Sequence, residues 1–74
     1  MINKVTEILS RIKRDSGGEL TVSVTEETDL RRDLSFSSLD LATLTAEIED
    51  EFGVDLFEND FVYTVGDIIK KITR

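Results

Sequence analysis

The stretch SSLDLATLTAEIEDEFG, residues 37–53, decides the reading of the chain. Leu41, Leu44, Ile48 and Phe52, with Leu39 and Thr45 beside them, recur at helical spacing and fall on one face. Asp40, Glu47, Asp50 and Glu51 fall largely outside that stripe. The spacing predicts a helix over 38–52 that buries one side and shows acids on the other. Gly53 supplies the stop. At its start, SSLD fits a capping box with Ser37 as N-cap and Asp40 at the third helical position. If Ser37 caps, the Ser38 hydroxyl is free beside unpaired backbone N–H groups and the positive end of the helix dipole. That is a favourable place for a phosphate. As sequence alone, SSLD opens many helices with no further role, so this pair of serines is first of all punctuation.

Two shorter helices flank this one. Over 3–14, Val5, Ile8, Leu9 and Ile12 share a stripe, Asn3 is the expected cap, and DSGG at 15–18 ends the segment. Arg11, Lys13 and Arg14 are placed in its last turn, where cations suit the dipole. Over 65–73, Val65, Ile68, Ile69 and Ile72 repeat the pattern, and TVGD at 64–67 is a second capping box. Residues 15–37 show no helical period. LTVSV at 20–24 alternates like a strand but has no partner strand to pair with, so it reads as an extended loop that pins Leu20, Val22 and Val24 on the core. Residues 25–34 add at most one helical turn, with Leu30 and Leu34 inward. Phe57 and Phe61, four apart, suit one face of a short fourth helix. The expected fold is all-α: a small antiparallel bundle of three main helices plus a short fourth, with a long loop between the first two, in a single domain over residues 1–74.

Composition excludes whole classes of chemistry. There is no His and no Cys, so no catalytic triad, imidazole base, thiolate or disulfide is available. DLFEND at 55–60 lacks the spacing and glycine of a calcium loop, so no metal site is expected. No apolar run reaches the length of a membrane span, and residues 1–10 mix charge with apolar residues, unlike a secretory signal. The expectation is a cytoplasmic chain with no membrane and no nucleic-acid ligand. The net charge is −7, and ten acids from Asp33 to Asp67 are uninterrupted by any Lys or Arg. Such a surface suits basic protein partners. It also predicts a fold loosened by its own charge.

These residues carry a resemblance. TDLRRDLSFSSLDLATLTAEIEDEFGVDL at 28–56 and TVGDIIKKI at 64–72 resemble the acyl carrier protein family, and the likeness covers essentially the whole chain. Its most specific part is the serine–leucine pair followed by a helix ending E-x-E-F-G-V-x-L. The resemblance implies that Ser38, followed by Leu39, carries a covalent 4′-phosphopantetheine from coenzyme A, installed by a phosphopantetheinyl transferase that brings its own Mg²⁺. It implies a carrier and not an enzyme, a monomer that presents acyl thioesters to partners of fatty-acid, lipid or polyketide synthesis. Asp40, Glu47, Asp50 and Glu51 would then meet basic docking patches on acyl-transferring and acyl-modifying enzymes. Leu39 and Leu41 would add apolar contact near the serine, with core packing the leading role of Leu41. Leu44, Ile48, Phe52, Phe61 and Ile69 read as ordinary core, and the resemblance adds an acyl chain tucked among them. Phe36 packs on the loop or flanks the arm.

Two positions depart from the family pattern. Ser37 stands where an Asp is usual, which keeps the cap and removes a charge beside the attachment point. Ser35 stands where a Gly is usual. The alternatives are an unmodified helical adaptor with a carrier fold, or a carrier of aminoacyl or peptidyl cargo.

Overall fold

A computed structural model describes residues 1–56 and 62–73. Three helices are present: α1 (Ile2–Asp15), α2 (Ser38–Phe52) and α3 (Val65–Thr73). The expected turn carrying Phe57 and Phe61 lies outside the described residues. Among the described residues no strand forms, and one isolated antiparallel bridge joins Asp29 to Thr64. No described helix is long and apolar enough to cross a membrane.

The apolar stripes read from the sequence meet in one core. Val5, Ile8, Leu9 and Ile12 of α1 pack with Leu44 and Ile48 of α2 and Val65 and Ile68 of α3. Leu41, Phe52, Ile69 and Ile72 are half-buried against them. Helix α1 is the element on which the other two pack. Its direction relative to α2 follows from three side-chain contacts. Lys4 Nζ lies 2.7 Å from Glu51 Oε1, Arg11 Nη2 lies 3.3 Å from Glu47 Oε2, and Ser16 Oγ lies 2.6 Å from Asp40 Oδ1. As numbers rise along α1 they fall along α2, so the two run antiparallel.

The long loop takes the place of a sheet edge. Thr28 O accepts from Val65 N at 3.0 Å, Glu26 O from Gly66 N at 2.8 Å, and Tyr63 O from Leu30 N at 2.9 Å. The first N–H groups of α3, which no intrahelical carbonyl can reach, are thereby satisfied by the loop. Gly66 is required for this approach, because a Cβ there would sit 2.9 Å from the Glu26 carbonyl oxygen. Leu30, Leu34 and Phe36 drop from the same loop into the core.

Several expectations need correction. Asn3 does not cap α1: the N-cap is Met1, and no side chain bonds there. The helix is longer by a residue at each end, and Arg11 lies before its last turn, which holds Lys13 and Arg14. Leu20 and Val24 do pack against the core, but Val22 is 45% exposed. Phe36 is buried in the core cluster, which suits the packing role expected for it. The single turn expected within residues 25–34 is present: Asp33 N and Leu34 N bond Asp29 O, with Leu30 and Leu34 buried, and it does not extend into a helix.

Candidate functional site

The site is the loop corner and helix start at residues 34–40. Ser35 holds φ at +57°, the left-handed region that favours glycine. The next residue, Phe36, is anchored in the core and donates its N–H to Leu30 O at 3.0 Å. Ser37 is then extended, with φ −83° and ψ 175°, and caps α2. Its Oγ accepts from Asp40 N at 3.2 Å, and Asp40 Oδ2 accepts from Ser37 N at 3.0 Å. Both halves of the expected capping box are formed.

Ser38 is the first residue of α2 and is exposed. Among the described residues its hydroxyl has no hydrogen-bond partner, and neither does the N–H of Ser38 or of Leu39. This differs from α3, whose leading N–H groups are taken by loop carbonyls and by Thr64. The start of α2 therefore presents one nucleophile-type oxygen and two unpaired donors at the positive end of a helix. Leu39 stands beside them with 76% of its surface exposed. No basic side chain bonds Ser38, and the chain holds no His to activate it. The hydroxyl is exposed, and among the described residues no side chain is placed to take its proton.

Asp40 is tied more firmly than the sequence suggested. The Ser16 hydroxyl, and then the Ser37 N–H, hold its carboxyl below the usual carboxylate range. Of the acids expected to meet partners, Asp40 is thus committed to the helix start. Glu47 and Glu51 face Arg11 and Lys4 of α1. The Lys4 ammonium also depresses the Glu51 pKa. Asp50, and the neighbouring Glu49, are exposed and have no cation partner among the described residues. Both edge a shallow hollow with Thr43, Ala46 and Glu47. The fully buried Leu44 and Ile48 lie in the packed core, Phe52 and Ile69 at its margin, and Phe61 outside the described residues. No group of acids among the described residues is arranged to hold a metal ion.

Near this region the sequence did not single out Ser16 or Lys4, nor the long-range contacts of Lys13 and Arg11, which it placed only as cations at the end of α1. Their partners lie 21 to 47 positions away, and no local pattern marks such pairs.

A family model described as a phosphopantetheine attachment site matches residues 4–72. The acyl carrier protein of Thermotoga maritima is 41% identical over 73 residues, covering 92% of this chain and 90% of that protein. No solved structure gives a significant match. A match of this length, joined to an all-helical fold with a serine at the head of its second helix, shows that the chain belongs to the acyl carrier protein family, whose members are carriers loaded with 4′-phosphopantetheine and not enzymes.

Proposed function

We propose that Ser38 is the attachment point and that residues 1–74 act as one cytoplasmic, monomeric carrier domain of fatty-acid synthesis. The observation that supports this most is the open Ser38 hydroxyl beside two unpaired N–H groups at the start of α2. These residues fit the group. The hydroxyl oxygen can form the phosphodiester, the two donors suit its charge, and the dipole favours an anion at that end. When bound, the group supplies a thiol that holds an acyl chain as a thioester.

This chain's own residues bind and present. Ser37 and Asp40 cap the helix, so that Ser38 does not have to. Leu39 offers an exposed apolar contact next to the serine. The general base for the transfer must come from a phosphopantetheinyl transferase, because among the described residues no carboxylate or other base is hydrogen-bonded to the Ser38 hydroxyl. Glu49 and Asp50 are the acids left open for basic patches on that enzyme and on acyl-handling enzymes. Glu47 and Glu51 join them once they exchange Arg11 and Lys4 for a partner's cations. Contacts of this kind raise association rate and weaken with salt, which suits a shuttle.

The test is intact mass before and after incubation with coenzyme A, Mg²⁺ and a broad-specificity transferase. The wild-type chain should gain one phosphopantetheine and Ser38→Ala none. A gain that survives in Ser38→Ala would refute the assignment of Ser38. No gain by the wild type with several transferases would favour the unmodified adaptor.

A further inference from the structure

We propose that the C-terminal end of α1, through Ser16 and Lys13, positions the start of α2 so that Ser38 is presented for modification; the inference rests on the reading of Ser38 as the attachment point.

Two clamps bracket the site. At one end Lys13 Nζ donates to the Leu34 carbonyl oxygen at 2.6 Å, in a part-buried setting. At the other the Ser16 hydroxyl donates to Asp40 Oδ1 at 2.6 Å, a length suited to a hydroxyl on an ionised carboxylate. Lys13 and Ser16 are three positions apart, so one edge of the helix end supplies both. The way α1 stops sets their places. Ser16 N still bonds Ile12 O at 3.1 Å, Gly17 turns left-handed at φ +86°, and Gly18 N returns to Lys13 O at 3.0 Å. Gly18 thus lies over the Lys13 stem, where an added Cβ would stand 3.2 Å from Lys13 Cε.

Between the clamps lies the segment that needs holding. Ser35 is in a conformation disfavoured for a residue with a Cβ. The Asp40 carboxylate has two oxygens with separate duties: Oδ2 takes the Ser37 N–H and Oδ1 takes Ser16. Fixing Oδ1 fixes the rotamer that closes the cap. Positions 38 and 40 are about 200° apart around a helix, so the carboxylate held against α1 leaves Ser38 on another side. The brace therefore orients the hydroxyl and keeps a negative charge away from the phosphate it would receive. Ser16–Asp40 is solvent-exposed, so its loss should disturb local geometry more than global folding.

The experiment compares Ser16→Ala, Ser16→Thr and Lys13→Met with the wild-type chain at a temperature where circular dichroism shows all four folded. Steady-state modification by a transferase should show kcat lower by roughly three- to tenfold in Ser16→Ala and Lys13→Met, with KM within about twofold, because docking is kept and alignment is lost. Ser16→Thr, which keeps the hydroxyl, should restore kcat. In parallel, amide hydrogen exchange at Ser37 and Asp40 should quicken in unmodified Ser16→Ala while α3 amides stay unchanged. Wild-type kcat in both Ser16→Ala and Lys13→Met, beside a normally modified wild-type chain, would overturn this inference alone. So would unchanged exchange at Ser37 and Asp40. A wild-type chain that takes up no phosphopantetheine would overturn the attachment reading, and this inference with it.

Discussion

Ser35, Ser37 and Ser38 share a side chain and differ in what the backbone asks of each. Ser35 sits at φ +57°, where a Cβ is crowded. Ser35→Gly relieves that crowding and loosens the unfolded chain, and the balance should stabilise the fold by roughly 0.5 kcal/mol, raising Tm in a thermal melt. A lower Tm would mean that Ser35 makes a contact worth more than its strain. Ser37 closes the capping box, so Ser37→Ala should cost about 1 kcal/mol in urea unfolding, while Ser37→Asp should be near neutral. Equal losses for both would show that the cap is not the reason for Ser37. Ser38 has neither duty, which is what leaves its hydroxyl open. The cap was legible because its spacing is local. The left-handed Ser35 was legible only through the family pattern, where a Gly is usual. The Ser16–Asp40 contact was not legible, since 24 positions separate its members and only the packing of α1 on α2 joins them.

The helices were readable because each carries an apolar stripe and a definite end. Helix α2 stops at Gly53, left-handed at φ +69°, with its N–H on Glu49 O. The long loop resisted reading for a physical reason: its order comes from carbonyls docked on the start of α3, and no periodicity records that. Gly66 is the point where loop and helix come closest. Gly66→Ala should destabilise by about 1–3 kcal/mol, since backbone must move to admit the Cβ; unchanged Tm and denaturant midpoint would mean the loop is not docked there. Lys4 and Arg11 of α1 also pair with two of the acids of α2. Lys4→Ala with Arg11→Ala should cost little stability, because both pairs are exposed and screened by solvent. The same change should lower the KM of the transferase at low salt by freeing Glu47 and Glu51 from their cations. An unchanged KM would remove these two acids from the docking face.

At the scale of the molecule, the net charge of −7 and the α1 cations pull in opposite directions. Read along the chain, residues 33–67 are acids without bases. In three dimensions Lys4 and Arg11 are brought beside that segment, so the repulsion is smaller than the sequence implies. It still leaves an excess of negative charge, and added salt should raise Tm. A melting temperature that does not move from low to high ionic strength would contradict this. Acid has two opposed effects: it relieves this repulsion, and once low enough it protonates the carboxyls that anchor the helix starts. The Asp40 carboxyl is depressed by Ser16 and Ser37, and that of Asp67 by the N–H groups of Tyr63 and Thr64. A carboxyl depressed in the fold stabilises it above the unfolded value, and that contribution is lost as pH falls through the folded value. Stability should therefore be level near neutrality and drop below about pH 4. A drop beginning near pH 6 would point to another group.

Of three neighbouring serines, we assign the arm to Ser38. Fragmentation mass spectrometry of the modified chain tests this assignment most directly, because residues 34–40 can be read serine by serine. The whole added mass should fall on Ser38 and none on Ser35 or Ser37. Added mass on Ser37 would contradict the assignment, since that hydroxyl is the acceptor that closes the cap of α2.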